Sequence, residues 1–225
     1  MNEFYSIFAQ CPLFEGIDIG DIESMLHCLG GRVVEMKKGQ HILCEGDPTD
    51  QIGVILSGSV QMVREDYYGN RSVLSVIGPA QLFAEAYAFS EAKSLPVSIV
   101  SEDDGKVLMI NSRRVATCCS NACAFHNQLI YNLLRTVSNK NLMLHQKIEV
   151  TSKRTTRQKL LSYLLYQAKL QNSNSFTIPF DRQALADYLE VDRSGLSVQI
   201  SKLRDEGVLE SEKNHFRLVN LENIE

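Results

Sequence analysis

Two groups of side chains in this sequence have the types and spacing to do chemistry. The first is Cys118-Cys119-Ser120-Asn121-Ala122-Cys123-Ala124-Phe125-His126, where three thiols sit close to an imidazole. Thiolate and imidazole are ligands for zinc, iron or haem, and Cys119 with Cys123 could instead form a redox pair on the first turn of a helix. Buried, inert thiols are the plainer reading and stand beside the other two. The second group is Arg193, Ser194, Ser197, Val198, Ser201 and Lys202, which share one face if the segment is helical. A helix that enters a DNA groove needs its first turn to reach base edges and its flanks to reach phosphates, and small polar residues around one arginine suit that task. Lys202, Arg204 and Lys213 are the candidates for phosphate contacts, against an ordinary role as solvated charges.

The second group needs a scaffold, and the residues around it supply one. Leu185 and Leu189 repeat at helical spacing, Val191 closes a three-residue turn, and Leu196, Ile200 and Leu203 make the next apolar stripe. Asp192 is placed to cap the second helix and Gly207 to end it. Val208-Leu209-Glu210 and His215-Phe216-Arg217-Leu218-Val219 then read as a short hairpin, the wing that often follows such a helix pair. The competing reading is an amphipathic helical hairpin packed on a larger core.

At 225 residues and 44% hydrophobic, the chain can bury a full core and is expected to hold domains of unequal size. No apolar run has the length of a membrane span, and MNEFYSIFAQ lacks a basic stretch followed by an apolar one, which predicts a cytoplasmic protein with no membrane partner. The formal net charge of −4 argues against a nonspecific nucleic-acid coat and for a localised basic surface. From Thr151 onward 11 Lys and Arg face 10 Asp and Glu, whereas the first 150 residues hold 12 against 17. The remaining cysteines, Cys11, Cys28 and Cys44, are scattered, so no disulfide framework is indicated.

The first 110 or so residues have another texture. Apolar runs at His41–Leu43, Ile52–Leu56, Ser59–Val63, Val73–Ile77, Val97–Val100 and Lys106–Ile110 alternate with turns punctuated by Gly39, Gly46, Gly58, Gly69 and Gly78, the pattern of an all-β barrel or roll. Ile19–Leu26 predicts a short helix lying on it. From about Ala122 to Val150 there is neither Gly nor Pro, which predicts one long helix. Ile130, Leu134, Val137, Leu144 and Ile148 alternate at spacings of four and three, with Asn141 in register where a polar residue can fix pairing. This seam predicts a parallel homodimer, while Leu129, Leu133 and Leu142 form a second stripe that could pack on the barrel. The expected fold class is α+β, with limits at 1–115 for the barrel, 116–150 for the dimerisation helix and 151–225 for the winged helix-turn-helix. The stretch Thr151 to Thr156 is expected to act as a hinge.

This order of parts, together with KKGQHILCEGDPTDQIGVILSGSVQMV and IGPAQLFAEAYAF, resembles the cyclic-AMP receptor protein and fumarate-nitrate regulator (Crp/Fnr) family of bacterial transcription factors, over nearly the whole chain. The resemblance implies a dimeric regulator that binds a palindromic operator in double-stranded DNA, meets RNA polymerase, and changes its DNA affinity when the barrel meets a signal. It also places the base-reading positions on Arg193, Ser194 and Val198, with Ser197 between them. Well-known members carry Glu and Arg where this chain has Ser194 and Val198, so a different operator is expected, with Val198 suited to a thymine methyl.

The ligand site departs further. Members that bind cyclic nucleotides hold the ribose with a Gly-Glu pair and neutralise the phosphate with an Arg about ten residues later. Here the block reads Phe83-Ala84-Glu85, then Ser94-Leu95-Pro96-Val97-Ser98, with Glu85 present and no Arg. Burying a phosphate without a cationic partner costs several kcal/mol, which argues against cyclic AMP. Leu82, Phe83, Glu85, Tyr87, Leu142 and Met143 are the candidates for an effector pocket of apolar or aromatic preference; the alternative is that they fill the barrel-to-helix contact and that Glu85 satisfies turn donors. Iron-sulfur members use a close-packed N-terminal cysteine group that is missing here, so no such cluster is expected, and the identity of any cofactor stays open. An enzyme would need convergent polar groups, yet the barrel has only His41 among histidines, and Glu45, Asp47, Asp50, Glu65 and Asp66 fall at turns. The last alternative is a dimeric module whose terminal helices bind protein instead of DNA.

Overall fold

A computed structural model describes residues 2–117 and 124–219. The packing divides the chain into two units, Met1–Asn139 and Lys140–Glu225.

The first unit is a two-sheet roll with helices on one side. Its strands are β1 (Arg32–Met36), β2 (His41–Leu43), β3 (Gln51–Ser57), β4 (Val60–Glu65), β5 (Arg71–Ile77), β6 (Leu82–Phe83), β7 (Ser98–Ser101) and β8 (Gly105–Asn111). All pairings are antiparallel, in the orders β1-β8-β3-β6 and β2-β7-β4-β5. The period of two explains how β3 serves two cores at once. Ile52, Val54 and Leu56 point to the helical side, where they join Phe8, Leu13, Phe14, Met25 and Leu108, while Ile55 points between the sheets to Met36, Val60, Phe83, Ile99 and Met109. The helical side is built from α1 (Tyr5–Gln10), a short 3₁₀ turn at Pro12–Phe14, α2 (Ile19–Cys28), α3 (Glu85–Ala88) and α4 (Ser112–Ala116). Burial pushes the Cys11 thiol up to about 11, so it sits there as a small apolar group.

All six strands expected from the apolar runs form, and two were not anticipated. Strand β1 carries Arg32 and Glu35 and has four of its five residues at least partly exposed, so its pattern is weak. Strand β6 has only two residues and exists through pairing with Gly53 and Val54.

Helix α5 (Ala124–Thr151) is the long helix expected, and Leu129 and Leu133 pack into the first unit's core. Asn132, fully buried on the same face, donates to the carbonyls of Leu13 (3.0 Å) and Glu15 (2.7 Å). Leu142 departs from the expected packing stripe: it is exposed. The last turns of α5 belong by packing to the second unit, whose core includes Val150, so the division falls inside the helix and not at 150/151.

The second unit continues with α6 (Thr156–Leu170), opened by a capping box between Thr155 and Gln158. It then forms β9 (Ser175–Thr177), α7 (Arg182–Leu189), α8 (Arg193–Asp205), β10 (Leu209–Glu212) and β11 (His215–Leu218). The wing hairpin β10–β11 forms as expected, and β9 adds a third strand beside β11. Tyr163, Phe180 and Tyr188 cluster with ring centroids 5.0–6.1 Å apart. Among the described residues the buried Tyr163 hydroxyl has no hydrogen-bond partner, and desolvation pushes its pKa up. No helix among the described residues is long and apolar enough to cross a membrane.

Candidate nucleic-acid interface

Each helix of the pair begins at an aspartate. Asp181 accepts from Ala184 N at 2.8 Å and starts α7. Asp192 accepts from Gly195 N at 2.8 Å and starts α8. Between them the backbone turns at Glu190, in the left-handed region (φ 53), and Val191 packs against the core. Leu196, Ile200 and Leu203 are buried with Leu185 and Leu189. At 3.6 residues per turn this burial forces Arg193, Ser194, Ser197, Val198 and Lys202 outward, and all five are exposed, Val198 by 52%.

The outward groups are also electrostatically free. Among the described residues, Arg193, Lys202, Arg204 and Lys213 form no ion pair, whereas nearby Arg157 and Arg217 are engaged by Glu206 and Glu210. The serines are not free: Ser194 Oγ donates to Asp192 Oδ2 and Ser197 Oγ donates to the Arg193 carbonyl at 3.0 Å. The Ser194 hydroxyl, followed by the backbone N–H of Gly195, holds the Asp192 carboxyl below its ordinary 3.8.

Three positioning residues escaped the sequence reading. Arg182, the first residue of α7, donates to the Lys213 carbonyl at the wing turn (3.4 Å) and lies 5.7 Å from the Phe216 ring centroid. Its buried Nη1 finds no acceptor among the described residues, and desolvation lowers its pKa. At the other end of α7, Lys159 donates to the carbonyls of Leu189 (3.1 Å) and Glu190 (3.4 Å). Lys147, on α5, reaches the Tyr188 carbonyl, pairs with Glu190 at 3.3 Å and lies 4.6 Å from the Tyr188 ring centroid. Two lysines from other helices thus meet the negative end of α7's dipole. Only an unclaimed run of cations on α5 and α6 could have hinted at this.

The effector-pocket candidates fare differently. Leu82 and Phe83 belong to two separate cores, on opposite faces of the first sheet. A Cβ at Gly53 would fall 1.9 Å from Phe83 Cζ, so the Phe83 ring fills the space above the Gly53 backbone. Glu85 is buried and Tyr87 half-buried, while Leu142 and Met143 are exposed on the part of α5 that belongs to the second unit. Leu95 and Val97, in the segment where a phosphate would need an arginine, are buried apolar side chains. A surface cavity of about 670 Å³ opens elsewhere on the roll, among Asp50, Phe89, Lys93 and Arg113, and shares no residue with the expected pocket.

Cys118, Cys119 and Cys123 lie outside the described residues. His126 is buried with Nε2 2.9 Å from the Val115 carbonyl, which takes one ring nitrogen away from any metal. Among the described residues no cluster of three His, Cys, Asp or Glu could hold a metal ion. The seam side chains Leu134, Leu144 and Ile148 are 62–63% exposed, Val137 and Asn141 are exposed, and Ile130 is half-buried.

A β-roll with a helical side, a long helix and a winged helix-turn-helix whose outer face is open define a two-part class of protein: a sensor-type domain in one chain with a DNA-binding type. Residues 33–122 match the model of the cyclic nucleotide-binding domain, and residues 158–225 match that of the Crp-like helix-turn-helix domain. The chain belongs to the Crp/Fnr family of DNA-binding transcription regulators. Over 83 residues it is 29% identical to a CRP-like cAMP-activated global transcriptional regulator of Mycobacterium tuberculosis, a stretch that makes up 37% of this chain and 36% of that protein. Its fold is similar to that of the c-di-GMP responsive global regulator CLP of Xanthomonas campestris (TM-score 0.52, 18% identity, 90% of this chain and 100% of that one). It is also similar to that of a regulatory protein from Silicibacter pomeroyi (TM-score 0.51, 20% identity, 100% and 96%).

Proposed function

We propose that the chain works as a homodimer that binds a palindromic operator in duplex DNA and adjusts transcription to a signal other than cyclic AMP. The observation that carries this reading is the open face of α8, where a capped, core-packed helix presents an unpaired Arg193 beside Ser194, Ser197 and Val198. In this reading residues 1–115 sense, 116–150 pair and 151–225 bind DNA. Arg193 takes a guanine, and Lys202, Arg204 and Lys213 meet phosphates.

Dimerisation rests on the exposed seam from Ile130 to Ile148. Five spaced apolar or amide positions on one helix, Leu134, Val137, Asn141, Leu144 and Ile148, are exposed in a pattern that a second copy would cover, and a two-fold pair gives two recognition helices for two half-sites. The exclusion of cyclic AMP rests on Phe83, Leu95 and Val97, apolar where a nucleotide needs space and positive charge. Such a regulator works in the cytoplasm, alongside RNA polymerase, and catalyses nothing.

Fluorescence anisotropy with the DNA upstream of its own gene and a scrambled duplex, at two salt concentrations, tests the reading. Tight and sequence-selective binding supports it. Absence of binding even at low salt overturns it and leaves a protein-binding module.

A further inference from the structure

We propose that the serine face of α8 acts only as a hydrogen-bond acceptor, so that each half-site carries an adenine or a cytosine beside the guanine taken by Arg193. The inference rests on the DNA-reading role assigned to α8 and specifies what that helix selects.

A free serine hydroxyl is an undiscriminating reader. It can donate to guanine O6 or N7 and to thymine O4, or accept from adenine N6 and cytosine N4. Neither exposed serine in the first two turns of α8 has that freedom. The Ser194 proton is given to Asp192 Oδ2, and the Ser197 proton to the Arg193 carbonyl at 3.0 Å. Only lone pairs remain on the outward side of each oxygen.

Asp192 reinforces this polarity. Its carboxylate is fixed by the Gly195 N–H at 2.8 Å. A hydroxyl that donates to a carboxylate is polarised and becomes a better acceptor. Turning the Ser194 proton outward would leave the carboxylate with one donor fewer and face it toward an acceptor on the base. An exocyclic amino group suffers no such conflict. The face is thus divided by chemistry: donors at Arg193, acceptors at Ser194 and Ser197, and an apolar surface at Val198 suited to a thymine methyl.

The test is selection of duplexes from a randomised pool by the full-length protein, repeated with Ser194→Ala and Arg193→Ala. The wild type should enrich a guanine with adenine or cytosine beside it, and the guanine should drop out of the Arg193→Ala consensus. Ser194→Ala should keep the guanine but lower the preference for adenine or cytosine about tenfold. Its melting temperature should fall only slightly, because Asp192 still caps Gly195. A wild-type consensus with guanine or thymine at that neighbouring position overturns the proposal, as does a Ser194→Ala consensus identical to wild type, and either leaves DNA reading intact. A wild-type pool with no sequence enriched overturns the DNA-reading role itself, and the proposal with it.

Discussion

Inside the roll, Ile55, Phe83, Ile99 and Met109 face one another and all are buried, whereas the outward set on α8, Arg193, Ser194, Ser197 and Val198, lies in solvent. Both regions belong to one family fold, but packing constrains them oppositely. In the roll, each inward side chain must match its neighbours in volume, and the ring of Phe83 closes over a glycine backbone. On α8 the buried stripe alone carries stability, so the outer face can change its chemistry at little structural cost. The lesson is that close apolar packing fixes the interior of the roll, while the outer face of α8 is left open to solvent.

The largest effect should come from breaking the proposed pairing, which would give α8 its second half-site. Leu144→Asp with Ile148→Asp puts two carboxylates per chain into the proposed seam, and burying unpaired charge costs several kcal/mol. Sedimentation should give a monomer at micromolar concentration with near-native circular dichroism. An undiminished dimer would place the pairing surface elsewhere.

Next is the roll interior. Phe83→Ala should cost about 3–5 kcal/mol in urea unfolding, because it opens a cavity among side chains that cannot all relax. Gly53→Ala should also destabilise, since its Cβ would fall 1.9 Å from Phe83 Cζ. In the Phe83→Ala background the same glycine change should cost much less, a coupling that a double-mutant cycle reads directly. Additive costs would mean that Phe83 does not seal the roll, and the contrast with α8 would weaken.

Arg193→Ala tests the open face. It should lose about 1–3 kcal/mol of base discrimination per half-site, measured by anisotropy against single-base operator variants, while the melting temperature hardly moves. A variant that keeps its specificity would shift base reading to other residues.

These two regions also differ in how readable they were. The strands of the roll followed from alternating apolar runs between glycines, and the helix pair from its leucine spacing and the cap at Asp192; the cap at Asp181 emerged only in the structure. The packing of Phe83 was not legible because a sequence shows an apolar residue but not what stands opposite it; the Gly53 backbone beneath its ring is visible only through the β3–β6 pairing. Helix α6 and strand β9 were missed for a related reason: α6 has only a weak amphipathic pattern, and β9 is three residues long and held by β11. Arg182, Lys147 and Lys159 act through carbonyls of other elements, which no local pattern encodes. The exposure of the α8 face was legible because it follows from apolar spacing along a single helix.

The smallest effect concerns the charge at the start of α8. The Asp192 carboxyl titrates below 3.8 in the folded protein, held there by the Ser194 hydroxyl and the Gly195 N–H. A depressed folded pKa stabilises the protein above the unfolded pKa, and that contribution is lost as pH falls through the folded value. Asp192→Asn keeps a capping acceptor but removes the charge, so it should lower stability slightly at neutral pH. The gap from wild type should stay constant above about pH 5 and close as pH falls below 3.8. Asp50, Asp66 and Asp104 in the roll also have lowered pKa values, but they are common to both proteins and cancel in the difference. A gap that persists at low pH would mean that the cap works by geometry alone. Ser194 would then lack a charged partner to hold its proton, and the polarity of the recognition face would no longer depend on Asp192.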